Sequence, residues 1–291
     1  MKTPPGFGSI QRPPPVQGVA FSFAGPGFHT GEMNTLRFRR SDPGVALVRI
    51  GSRLEFSPRR LRAAHDTSLR CTRVFEVGPL EHFLAAICIL GVDGWILEAT
   101  HPDLPLFDGS ALAWKEAILA TGSPNPPLVV PGPGSILEQA DARGRIRIEP
   151  SSRLDLRVTW SRGPQGEETW QGDAEALPDL LSARTFVTAR EFVQARNRGL
   201  LAGASPDCGR LFPGGDVGPE EADLAAVLGV DSRQEVWTGG VPRIPGECAA
   251  HKALDLIGDL YLRCGGIPQG KIDVVDAGHA LHLQVGQRLA E

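Results

Sequence analysis

The chain has 291 residues, 41% hydrophobic and 22% charged, with a formal net charge of −4. That is the composition of a globular protein of one large or two medium domains, and it offers no whole-chain attraction to nucleic acid or anionic lipid. No apolar run is long enough to span a bilayer. The five cysteines (Cys71, Cys88, Cys208, Cys248, Cys264) lack a CxxC pair, which argues against a disulfide framework or structural zinc cluster and for a reducing cytoplasm.

Residues 1–18, MKTPPGFGSIQRPPPVQG, are proline-rich without an apolar core, so they read as a flexible lead-in rather than a secretory signal. Strand-like runs follow: VAFSFA near 19, TLRFRR near 35 and VALVRI near 45. LEHFLAAICIL (80–90) has helical periodicity and leads into a strand-like WILEA (95–99), closing a first α+β domain over 19–122. Residues 123–136 are Pro- and Gly-rich and read as a linker. In the second α+β domain, 137–291, IRIEP and LDLRVTW read as strands and AREFVQARN as a helix. HKALDLIGDLYL (251–262) is a further helix, followed by the strand KIDVV.

The halves echo each other. LEHFLAAICILGVDGWILEA and AHKALDLIGDLYLRCGGIPQGKIDVV both place a His near a helix start, then a Gly-bounded turn and a strand. The echo points to two similar layers packed face to face with a site between them, although a coincidence of αβ grammar accounts for it equally well.

Four segments carry residues suited to chemistry. In HKALDLIGDLYL, His251 and Asp255 are spaced i, i+4 and can reach one point above the helix, as metal ligands do. Taken alone, the pair is better explained as solvated or hydrogen-bonded. Glu81 and His82 open the first helix, where His82 suits a third ligand and Glu81 a general base. An acidic first turn is also ordinary helix chemistry. His279 in DAGHALH is the residue type that protonates a leaving amine near neutral pH, against the alternative of a structural loop histidine. Thr185 in SARTF can donate to an oxyanion, or simply be structural. Together these groups supply the parts of metal-assisted amide hydrolysis: two His and an Asp, a base, an acid and oxyanion donors.

GFHTG (27–31), LEHFLAAICILGVD (80–93), DGSA (108–111), ARTF followed by RGLLAGASPDC (183–208), HKALDLIGDLYL and GHALH resemble the UDP-3-O-acyl-N-acetylglucosamine deacetylases, zinc enzymes of lipid A biosynthesis. The motifs keep the family's order over most of residues 27–290. The resemblance implies an α+β fold of two βα sandwich layers enclosing the site, each with a small insert, the second following Thr185 and holding the acyl chain. It implies that His82, His251 and Asp255 bind one Zn²⁺ per chain, with Fe²⁺ the other ion to consider. It assigns Glu81 to activating the attacking water, Thr185 and Lys252 to the oxyanion, and His279, oriented by Asp259, to protonating the departing nitrogen. The expected substrate is an acylated UDP-amino sugar and the expected state a cytoplasmic monomer without a nucleic-acid partner. The alternatives are a paralogous deacetylase acting on another acylated amino sugar and a non-catalytic scaffold. Departures from the family's pattern fall at Gly78-Pro79-Leu80, Gly94, Thr188 and Ala189, at His282 where Asn is customary, and over 209–247.

Overall fold

The computed structural model describes residues 19–51, 54–56, 71–74 and 76–291, and the lead-in expected at 1–18 lies outside the described residues. The first half runs β1 (Ala20–Pro26), β2 (Met33–Arg40), β3 (Ala46–Ile50), β4 (Leu54–Phe56), α1 (Glu81–Ile89), β5 (Trp95–Ala99) and α2 (Leu112–Ala120). In the second, β6 (Val129–Val130) and β7 (Leu137–Ala140) precede β8 (Arg145–Glu149), β9 (Asp155–Gly163) and β10 (Gly166–Gly172). β11 (Phe186–Thr188), α3 (Ala189–Asn197), β12 (Arg210–Phe212) and α4 (Pro219–Leu228) follow. The chain ends with α5 (Glu247–Cys264), β13 (Ile267–Pro268), β14 (Lys271–Val275) and α6 (His279–Ala290).

The two five-stranded sheets have one topology. The first is ordered β1-β2-β5-β3-β4, and the second, read from its far edge, β7-β8-β14-β9-β10. In each, the strand after the long helix enters the middle, antiparallel to the second strand (β5 on β2, β14 on β8) and parallel to the third (β5 on β3, β14 on β9). The helix–turn–strand echo is therefore the same unit used twice: α1–β5 and α5–β14.

Period-two patterning turns one face of each sheet inward. Asn34, Leu36 and Phe38 of β2 are buried while Met33, Thr35 and Arg37 are exposed, and β8 and β14 alternate likewise. The inner faces meet the helices, α2 lying on β1 and β2 and α5 on β9 and β10. Between these layers α1 packs against α5, and α5 against α6. Every residue of α1 is buried, because its run EHFLAAICI has no solvated side to keep polar. Trp95 Nε1 donates to Tyr261 Oη at 3.0 Å and ties the halves through one continuous core.

α5 departs from the usual amphipathic helix. Its apolar side meets sheet and helix, but its polar arc is also enclosed: His251, Asp255 and Asp259 are 2%, 2% and 0% exposed. The arc faces α1 at very short range because residue 258 is glycine. A Cβ on Gly258 would run into the Glu81 carbonyl. That missing carbon brings the two helix surfaces together where the polar residues lie.

The stretch 123–136 contains β6, which pairs in parallel with β13, while the Leu128 amide donates to the Cys88 carbonyl at the end of α1. The segment between β10 and α5 forms the second half's insert. A capping box between Thr188 and Glu191 starts α3 there, and α4 packs on α3 around Ala189, Leu211, Ala225 and Trp237.

Candidate active site

His82 and His251 stand opposite each other near the starts of the two equivalent helices, with Nε2 atoms 3.1 Å apart. Asp255, one turn beyond His251, places Oδ1 3.6 Å from His82 Nε2 and Oδ2 3.5 Å from His251 Nδ1. Ligand atoms of all three lie within 4.8 Å of one another. Two ligands about 2.0–2.1 Å from a shared tetrahedral ion lie roughly 3.3 Å apart, close to the separations of His82 Nε2 from His251 Nε2 and from Asp255 Oδ1. His82 Nδ1, His251 Nδ1 and Asp255 Oδ1 are buried without hydrogen-bond partners, so the protein alone does not satisfy this cluster. The three residues fit a divalent metal ion.

Electrostatics favour ligation. Burial drives the His251 pKa down to about 3, keeping the imidazole lone pair free. Burial alone would raise that of Asp255, but Lys252, His251 and His82 hold it well below the usual carboxylate range. Lys252 donates to Asp255 Oδ2 at 2.9 Å and lies 5.2 and 5.4 Å from the Trp160 and Phe186 ring centres.

Glu81 precedes His82 and is 4% exposed. Its Oε2 accepts from the backbone amides of Thr72 (2.9 Å) and Leu80 (3.0 Å), leaving Oε1 for other work. Burial raises its pKa against the opposing pull of His279 and His82. His279 is the first residue of α6 rather than part of a loop, directly after the cap residue Gly278. Its Nδ1 lies 2.8 Å from Asp259 Oδ2 and its Nε2 3.9 Å from Asp255 Oδ2. Burial opposes the charged ring, yet Asp259, with help from Asp255 and Glu81, lifts the His279 pKa to about 9.

Asp259, His279 and His282 also offer clustered ligand atoms. Both ring nitrogens there stand at 2.8 Å from one carboxylate oxygen, the separation of N–H···O hydrogen bonds, so this second group is a hydrogen-bond cluster.

Thr185 enters from the second insert. Its amide donates to the Gly109 carbonyl at 2.7 Å, and the following Phe186 ring packs 6.0 Å from the His251 ring. The Thr185 side chain makes none of the hydrogen bonds of the His/Asp cluster. Its neighbour Arg184 forks onto Glu247 with contacts of 2.8 and 2.9 Å, and Glu247 lies one turn before His251 on α5. This buried pair fixes the Thr185 segment to α5, the helix that carries His251 and Asp255. Thr72, Arg184 and Glu247 are the polar members of the site that pattern reading missed. No local spacing marks them, because each gains its meaning from a partner far along the chain.

Seven of the eight expected residues thus converge on one buried centre, with Thr185 at its rim. A His/His/Asp cluster flanked by a carboxylate and a His–Asp pair, enclosed by two equivalent α+β halves, is the arrangement of a metal-dependent hydrolase. The family model described as LpxC: UDP-3-O-acyl N-acetylglycosamine deacetylase matches residues 18–217 and 220–291, and the chain belongs to that family. It is 30% identical over 301 aligned residues to the UDP-3-O-acyl-N-acetylglucosamine deacetylase of Synechocystis sp., covering 97% of this chain and 98% of that one. It is 28% identical to the corresponding enzyme of Thermosynechococcus vestitus, covering 92% of this chain and 91% of the relative. A bifunctional enzyme LpxC/FabZ of Bacteroides thetaiotaomicron is also 28% identical, over 93% of this chain and 62% of its own length. Among the described residues no helix is long and apolar enough to cross a membrane.

Proposed function

We propose that this chain hydrolyses the acetamido group of UDP-3-O-acyl-N-acetylglucosamine, releasing acetate and the free 2-amine, as a step of lipid A biosynthesis in the cytoplasm. The observation that carries the reading is the buried His82/His251/Asp255 cluster, with Glu81 next to His82 in the chain and His279 Nε2 3.9 Å from Asp255 Oδ2. Zinc is the ion that two imidazoles and a carboxylate suit as a catalytic site, and Fe²⁺ is the alternative. When bound, the ion supplies Lewis acidity to polarise the acetyl carbonyl and ease the ionisation of water.

The chain's own residues do the rest. Glu81, with a raised pKa and a free Oε1, takes the proton of the attacking water. Lys252 and Thr185 donate to the oxygen on which negative charge develops. As the C–N bond breaks, His279, kept protonated by Asp259, gives its proton to the departing nitrogen. The new C–O bond and the transferred proton leave acetate and amine, and Glu81 then returns its proton to solvent.

Metal analysis of the purified protein, combined with an acetate-release assay on the UDP substrate with and without its 3-O-acyl chain, tests the reading. Bound metal and acyl-dependent release support it. Turnover in metal-stripped protein overturns the mechanism, and indifference to the acyl chain redirects the substrate to another amino sugar.

A further inference from the structure

The roles above leave two enclosed polar side chains unused. Thr72, 0% exposed, donates its hydroxyl to Asp259 Oδ1 and its backbone N–H to Glu81 Oε2 at 2.9 Å. His282, also 0% exposed, lies in the first turn of α6 with Nδ1 2.8 Å from Asp259 Oδ2. That is the oxygen that holds His279 Nδ1, likewise at 2.8 Å. An ionised carboxylate only accepts hydrogen bonds, so both Nδ1 atoms carry their protons. Three donors from two other segments of the chain therefore meet on one carboxylate.

We propose that Thr72 and His282 form a two-point clamp on Asp259, positioning residues that fix the carboxylate in the orientation from which it aims His279. The physical need is plain. Rotation about the terminal torsion of an aspartate is broad, so a carboxylate bonded to His279 alone would turn together with the ring. The Thr72 hydroxyl ties down one oxygen. His282 fills a second direction at the other, leaving His279 one way to approach. The ring of His282 also leaves Nε2 buried without a partner. That uncompensated desolvation is difficult to explain as packing and readily explained by a demand for the Nδ1–H donor. Through its own amide Thr72 also holds Glu81, so one residue sets the angles of both proton-transferring groups. Where the family's pattern has Asn, an Nδ2–H can serve as the same donor.

The inference rests on the reading of Asp259 and His279 as the acid pair, and the test separates the two. Thr72→Val and His282→Leu remove a donor while keeping much of the bulk, whereas Thr72→Ser and His282→Asn retain one. With metal-loaded enzyme, T72V and H282L are expected to lower kcat about 10- to 100-fold, the range for residues that orient a working group from behind. KM and metal content stay unchanged, and T72S and H282N restore most of the rate. In the double variant the losses combine to less than their product, because both act on the Asp259–His279 pair, the Thr72 Oγ1 lying also 3.3 Å from His279 Nδ1. Nitrogen-15 NMR of the wild-type imidazoles gives a readout independent of activity and of variant folding, with His282 expected as the Nδ1–H tautomer. An Nε2–H tautomer, or unchanged kcat in T72V and H282L while His279→Ala is impaired, overturns the clamp. Unchanged kcat in H279A overturns instead the acid-pair reading beneath it.

Discussion

His82 Nε2 and His251 Nε2 face each other at 3.1 Å although 169 residues separate them along the chain. The contact joins corresponding helices of the two equivalent halves, so the centre sits on the seam between the repeats. Neither half contains it. His82→Ala and His251→Ala are therefore each expected to abolish metal binding and deacetylation together, read by metal content alongside acetate release. Retention of full metal occupancy by either variant would contradict the assigned ligand set.

Glu81→Gln separates metal binding from proton transfer. The amide keeps an oxygen for the two backbone donors at Thr72 and Leu80 but is not a base at neutral pH. Metal content should remain, while kcat falls by about 10²–10⁴-fold, the usual contribution of a positioned general base.

The His279 pKa of about 9 gives a sign to the pH response. A raised folded-state pKa means the charged ring is stabilised by folding. That contribution is full below the ordinary histidine value and is lost as pH rises through about 9. In metal-free protein an NMR titration should place His279 there, and Asp259→Asn should lower it. In the loaded enzyme the alkaline limb of kcat/KM should fall at lower pH, because a nearby cation disfavours the imidazolium.

Gly258→Ala probes the seam itself. The added Cβ collides with the Glu81 carbonyl, so α1 and α5 must separate where their polar residues meet. A loss of about 1–3 kcal/mol is expected from overpacking, measured by denaturant unfolding, with a drop in activity out of proportion to the fraction unfolded.

Glu247→Ala tests the brace beneath Thr185. Removing the carboxylate leaves Arg184 enclosed without its forked partner, and Arg210 loses the carboxylate oxygen 3.6 Å from its Nε. Breaking a buried pair from one side typically costs about 3–5 kcal/mol. Unfolding midpoints should show that loss directly, and a surface-like change of a few tenths would mean the pair is not the strut described.

What the sequence determined by itself was local. Strand-like runs marked β2, β8 and β14 and helical periodicity marked α1 and α5, whereas the helix–turn–strand echo fitted coincidence as well as two equivalent layers until the sheet order decided it. The i, i+4 pair His251 and Asp255 and the adjacent Glu81 and His82 were legible as well, since their spacing lies within a single helix turn. α4 inside 209–247 was not foreseen: its apolar residues, Leu224 and Leu228 among them, face α3 and the insert, not the main core. Tertiary structure alone decided the rest. It enclosed the polar arc of α5 instead of solvating it, set His279 at a helix start, and brought Thr72 and His282 onto Asp259. Backbone periodicity is dictated by neighbours a few residues apart, whereas convergence depends on how two separately folded faces meet. Here that meeting is governed by a carbon atom that Gly258 lacks.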